Sequence, residues 1–426
     1  MTNKTIKKDR KRIWTGVLCL ILCTLLLMPD LTIHAASKLS KYTKENLIEE
    51  FIEGRAAVYS ENGWGFLDEK GNEVIKMQYD GVSSPCFSDG LAFVGKNGKY
   101  GFIDKNGNEV VKVQYDGNQM TREFSEGDGL ISFVKNGQFI YVNRKGKEVL
   151  KVKYDVAWDF SDGLAAVGKK EKYGFINKQG KEVIKLQYDT VSSFSNGLAA
   201  VSKKGKYGFI NKKGKEVIGL RYDSAESFQD GLAVVSKKGK YGCIDKNGKE
   251  IIKLKYDQIS EFSEDMAVVK LKEDYGYINR KGQEVIKPEY AMAGRFNGGL
   301  AMVSSHNKNG SECIDKNGKV VFKANYEQIN DYFDEGYAVV YKKGKAGMID
   351  KKGRELIKPK YNSIYMFSEG LAAVQANGKW GYIDQNGKEV IKPQYDHGGT
   401  FSSGMAAVRK GDQWSFIDQN GKVVLE

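Results

Sequence analysis

A side-chain oxygen recurs along this chain at the end of a short apolar run. It belongs to Asp at 68, 104, 245, 315, 350, 384 and 418, and to Asn at 143, 177, 211 and 279. A row of carboxylates could hold Ca²⁺, which takes several hard oxygen ligands. Asn, however, keeps the acceptor and discards the charge, and an Asx turn needs only the acceptor. The interchange favours a turn over a metal site. A second row pairs an aromatic with Gly. Its members include Trp64, Tyr100, Tyr207, Tyr241 and Trp380, while Trp414 precedes Ser415. Exposed rings in register could stack on sugars, but an aromatic spine packing unit on unit explains the row more simply. A third row, with Lys206, Lys240 and Lys379, precedes the aromatic pair and could attract polyanions by summed potential. The lysines of the following turn (Lys147, Lys181, Lys215, Lys249 and Lys388) are each followed by Glu, which weakens a purely basic surface. These six aromatics and three lysines are the candidate ligand contacts. No catalytic group, cofactor site or metal site is expected.

The remaining reactive residues are sparse. The chain has three His and five Cys in 426 residues. His306 and His397 have no Ser or Cys nucleophile at a recognisable spacing. Cys243 and Cys313 stand where Phe102, Phe175 and Phe209 stand elsewhere, so they read as small core residues. Cys86 lies beside Phe87, and the scattered positions do not form a disulfide framework. An enzyme would require a non-repeating cluster of acids or His, and only Asp331, Asp334 and Glu335 offer scattered candidates. The chain is expected not to be an enzyme.

The elements that position these rows are copies of one unit. A Phe recurs at 51, 87, 124, 160, 194, 228, 262, 296, 333, 367 and 401, mostly 34 residues apart. Length alone would suggest about three domains; the period replaces them with one array over 51–426. Each unit carries three runs of the type Leu-Ala-Ala-Val, Tyr-Gly-Phe-Ile and Glu-Val-Ile. These are too short for helices and rich in β-branched and aromatic residues. Lys-x-Gly and Asn-Gly turns separate them, as tight hairpins require. With 49 Gly and only 5 Pro, the composition suits many turns. Hydrophobic residues at 41% can supply a core. The reading is all-β: tandem β-meander repeats of about 34 residues with three short strands each. They are expected to stack in an open superhelical array, since no strand is obviously left over for exchange between the first and last units. A closed β-propeller-like ring is the alternative. Residues 36–50 read as a short leader, with Leu39, Leu47 and Ile48 among polar residues suggesting a short helix.

Residues 1–35 have the order of a secretory signal peptide. Six basic residues lie within 4–12, an apolar run follows from Ile13 to Met28, and Ala35-Ala36 offers small residues for cleavage. Sixteen apolar residues rise only about 24 Å as a helix, short of a bilayer core of about 30 Å. An uncleaved membrane anchor is the alternative. The segment carries six basic and two acidic residues, so its removal lowers the net charge from +13 to +9. The bulk of the chain is expected outside the cytoplasm, secreted or at the cell surface.

The aromatic-Gly pairs in Trp64-Gly65-Phe66-Leu67-Asp68, Tyr207-Gly208-Phe209-Ile210-Asn211 and Trp380-Gly381-Tyr382-Ile383-Asp384, with downstream Gly-Lys-Glu-Val-Ile and Tyr-Asp, resemble the WG (KWG-type) repeat of bacterial proteins. The likeness covers nearly all of the chain after the leader. The Gly is replaced at Ile140, Glu312 and Ser415. The resemblance implies a bacterial β-repeat protein and implies little about activity. The function expected is a non-enzymatic scaffold that binds a protein or an anionic cell-envelope polymer through many weak contacts. Nucleic acid is disfavoured by export, and the membrane would be met only through an uncleaved N-terminus. A structural spacer is the alternative. The insertions Gly117–Glu123 and Ser304–Ser311 are where a binding face would first be sought.

Overall fold

The computed structural model describes residues 39–426 except 40, 44, 84–85, 117–127, 307–310, 330–332 and 334–335. Residues 1–35, where a signal peptide is expected, and Asp331, Asp334 and Glu335 fall outside the described residues, as do 117–123 and 307–310 of the two insertions. No helix among the described residues is long and apolar enough to cross a membrane.

The fifth unit shows how the sequence becomes a sheet. Its strands are Thr190–Val191, Leu198–Lys203, Lys206–Asn211 and Glu216–Tyr222, hydrogen-bonded in that order. The three expected strands are present, and a two-residue first strand joins them. The second and third strands meet in a two-residue turn whose Lys204 and Gly205 have φ of 51° and 71°. Positive φ at both positions matches the right-handed twist of a hairpin. The other units repeat the pattern, with three strands among the described residues of the third unit. In units seven and eight a single ten-residue strand, Glu284–Ala293, serves both sheets and makes one seven-stranded sheet.

Both faces of each sheet are buried. In the fifth unit Ala199 and Val201 pack toward unit four, while Leu198 and Ala200 pack toward unit six. Alternation along a strand thus sends alternate side chains into two different cores. A single unit has no core of its own; the cores lie between units.

The two ends of the array are in contact. Ser161, Ser195, Ser263 and Ser368 each donate their hydroxyl to the carbonyl of the next unit's Phe, at 2.7, 3.2, 2.7 and 2.6 Å. Ser402 of the last unit makes the same bond, at 2.5 Å, to Phe51 of the first. Thr400 also bonds Glu50. Eleven hydrophobic cores separate eleven units, where an open array would have ten interfaces. The all-β tandem meander is as expected, but its ends meet, and the closed alternative replaces the open array.

The leader supplies the physical reason. The Leu39 N–H donates to the Glu426 carbonyl at 3.0 Å, and the Trp414 indole N–H donates to the Thr43 carbonyl at 2.9 Å. Leu39 and Tyr42 are buried with Trp414, Phe416 and Leu425 in the core that joins the last unit to the first. Lys41 bonds Glu73, repeating the bond from Lys255 to Glu284. Lys41-Tyr42 therefore does for the last unit what Lys255-Tyr256 does for the sixth. Leu47–Ile52 is the first strand of unit one, where a leader with a short helix was expected.

Candidate functional site

The recurrent rows are largely occupied by structure. In all eleven units the Asp or Asn at the end of the third strand accepts the N–H groups two and four residues on. In unit five, Asn211 Oδ1 accepts from Lys213 and Lys215 at 3.0 and 3.1 Å. In unit six, Asp245 does the same at 2.9 Å from Asn247 and Lys249. The geometry is that of the turn expected from the Asp/Asn interchange.

The lysine row is ion-paired. Lys206 and Lys240 each meet a carboxylate, Asp223 and Asp257, at 2.5 Å, and Lys379 meets Asp396. The other carboxylate oxygen accepts a backbone N–H from the next unit's hairpin: Lys238 at 2.5 Å for Asp223 and Lys272 at 2.7 Å for Asp257. Each Asp thus clips one unit to the next. Its hydrogen bond from the lysine, joined by the backbone N–H, holds the carboxyl below its usual range. The three lysine candidates are parts of these clips.

The aromatic row is mixed. Trp64, Tyr100, Tyr207, Tyr241 and Trp380 are half-buried, whereas Trp414 is only 1% exposed. The Gly that follows permits a close approach. A Cβ on Gly208 would lie 2.4 Å from the Ile218 carbonyl oxygen. Tyr207 pairs with Tyr222 and Phe209 with Ile218, so two residues of the third strand face four of the fourth. The fourth strand bulges into the space a side chain would fill. Pro288, Pro359 and Pro393 stand in the corresponding bulges, where no ladder N–H is required. Where Ile140 or Glu312 replaces Gly, that bulge is absent and Phe139–Tyr141 or Ser311–Cys313 pairs residue for residue.

Among the described residues Cys86, Cys243 and Cys313 are free and buried, in keeping with core positions, and burial pushes each thiol up to about 12. Among the described residues no group of three His, Cys, Asp or Glu is placed to hold a metal.

A different layer does not repeat. Beside each aromatic lie one residue of the second strand and one of the first. These are Gly95 and Gly81 in unit two, Gly168 and Val156 in unit four, and Ser202 and Thr190 in unit five. They are Ser236 and Ser224 in unit six, Lys270 and Gln258 in unit seven, and Gln375 and Ser363 in unit ten. They change from unit to unit while their neighbours repeat. Around unit seven the layer opens into a cleft of about 700 Å³, lined by Tyr241, Tyr275, Lys270, Gln258, Ser260 and Arg295 among others. Of the aromatics singled out in the sequence, this cleft contains Tyr241. Lys270, Gln258, Ser260 and Arg295 were missed, because attention to recurrence hides positions that do not recur. Their signal was the failure to repeat.

The fold is thus that of an all-β tandem-repeat scaffold whose first and last units are joined. Ten consecutive segments spanning 64–414 match the WG-containing repeat, and the chain belongs to that family. No match was found among curated proteins. Among solved structures, 76% of the chain is similar to 97% of one described as the crystal structure of the eukaryotic initiation factor, at 11% identity and a TM-score of 0.43. Another, of Hsv2p from Kluyveromyces lactis, covers 55% of this chain and 93% of its own at 12% identity and a TM-score of 0.30. The extracellular domain of the putative one component system BT4673 from B. thetaiotaomicron covers 88% of this chain and 64% of its own, at 10% identity and a TM-score of 0.23.

Proposed function

We propose that the protein is an exported, non-enzymatic scaffold that binds an anionic polymer of the bacterial cell envelope. One observation carries this reading. The repeated positions form turns, clips and cores, while the two positions beside each aromatic differ from unit to unit on a common frame. Such a frame presents many individually modest contacts whose strengths combine. The charge of the chain without residues 1–35, +9, favours an anionic target. The signal-like order of residues 4–36 supports encounter with that target outside the cytoplasm.

Retention of the purified protein on isolated envelopes across a salt series tests the proposal. Retention at about 0.15 M salt that falls steeply as salt rises is the expected result. Retention indifferent to salt would contradict an anionic polymer, and absence of retention would contradict envelope binding altogether.

A further inference from the structure

We infer that the cleft around unit seven is a specific subsite for an acidic sugar, and that its neighbours in units five and six extend it along a glycan chain. The inference rests on the binding reading above and adds the ligand's chemistry. Tyr241 and Tyr275, from consecutive units, contribute half-buried rings to the cleft. A ring of this kind offers an apolar face to a sugar and a hydroxyl to its rim. Ser260, Gln258 and Asn297 add polar groups of both signs, suited to a ligand rich in hydroxyls.

The charge comes from Lys270. In unit seven it stands where units five and six carry Ser202 and Ser236, directly across from Tyr275. Its ammonium lies 5.3 Å from the Tyr275 ring centre, which orients it into the cleft. Its carboxylate neighbour, Glu273, is 3.7 Å away and 88% exposed, a loose pairing in solvent. This separates Lys270 from the clip lysines, which meet Asp at 2.5 Å in the fifth and sixth units. Arg295 lines the same cleft from unit eight, pairing with exposed Glu261 at 3.0 Å. One half-buried cation over a ring, with a second cation at the margin, matches a sugar carboxylate.

Units five and six continue the surface. Beside Tyr207 the hydroxyls of Thr190 and Ser202 are 2.6 Å apart, and beside Tyr241 those of Ser224 and Ser236 are also 2.6 Å apart. Thr190 and Ser224 present their hydroxyls at the surface, while Ser202 and Ser236, 2% and 5% exposed, are buried behind them and hold them in place. In units two and four the same places hold Gly and Val, which supply none. The first-strand positions Thr190, Ser224 and Gln258 are thus polar and at least partly exposed in three consecutive units, the line an extended glycan would follow.

The test is calorimetric titration of the protein, produced from its full coding sequence, with a hexuronate oligosaccharide. A neutral cellohexaose and a short poly-glutamate serve as comparators. The hexuronate is expected to bind more tightly than either. Lys270→Gln should weaken it by about tenfold or more, Tyr275→Ala should weaken it comparably, and Lys270→Arg should retain most of the affinity. Thermal melting of each variant checks folding, and Lys270→Gln changes an accessible cation without disturbing a core. Equal affinity for poly-glutamate would overturn the inference by reducing it to bulk charge. So would hexuronate affinity unchanged in Lys270→Gln, or no hexuronate binding at millimolar concentration. If envelope retention persists while hexuronate fails, this subsite falls and the broader binding reading stands.

Discussion

Asp and Asn exchange freely at the end of the third strand because the turn uses an oxygen and not a charge. In Asn211 that oxygen holds two backbone N–H groups. Asn211→Asp should leave stability nearly unchanged, while Asn211→Ala should cost about 1–2 kcal/mol by orphaning those donors; urea unfolding of both variants measures the difference. Charge matters at Glu148, where hydrogen bonding from Lys135, aided by Lys151 and Tyr115, holds the carboxyl down at about 2 against burial. The folded value lies below the unfolded one of 4.5, so the contribution is complete above that pH and is lost as pH falls toward about 2. Melting temperatures should therefore fall less steeply over this acid range in Glu148→Gln than in the parent protein. The turn acceptors were legible because eleven copies displayed what each position tolerates. The lysine partners were not legible. Lys206 and Asp223 are separated by most of a strand pair, and only the folded hairpin brings them within 2.5 Å.

At the scale of the strand, glycine acts in two ways that the sequence writes with one letter. Gly197 adopts a φ of +83° with open space around a Cβ, so its requirement is conformational. Gly208 lies against the bulged fourth strand, so its requirement is contact. Gly197→Ala should cost about 1 kcal/mol through backbone strain. Gly208→Ala should cost more, about 3 kcal/mol, because the bulge must move. Equal losses in denaturant unfolding would refute the distinction. The strand types and hairpins could be read from alternation and from turn residues. The bulge could not, because unit three has the same spacing from Gly146 to Tyr154 as unit five has from Gly214 to Tyr222, yet pairs Val152 with its aromatic. A single side chain, Ile140, selects the regular pairing. The short first strand also escaped sequence reading, since two residues are too few to show alternation.

Across the whole molecule, closure determines what the repeats can do. Each unit is stabilised only by its neighbours, and an open array would leave two terminal faces uncovered. Here the leader and last unit cover those faces together, with Leu39 and Tyr42 completing the final core. This was obscure in the sequence because residues 39–43 imitate the end of a repeat without its Gly-Lys-Glu-Val-Ile prefix. A closed frame fixes the order and spacing of the variable layer, which is how a set of weak contacts can share one ligand. The most direct test of closure pairs the two residues at the seam. Glu50→Cys and Thr400→Cys are combined in a protein whose five native cysteines, Cys19, Cys23, Cys86, Cys243 and Cys313, are changed to Ser, and a short thiol crosslinker is added. Closure predicts an efficient intramolecular crosslink at high dilution, seen as a monomer of altered gel mobility. Thiols that remain uncrosslinked within the folded monomer, or that link only between molecules, would contradict it.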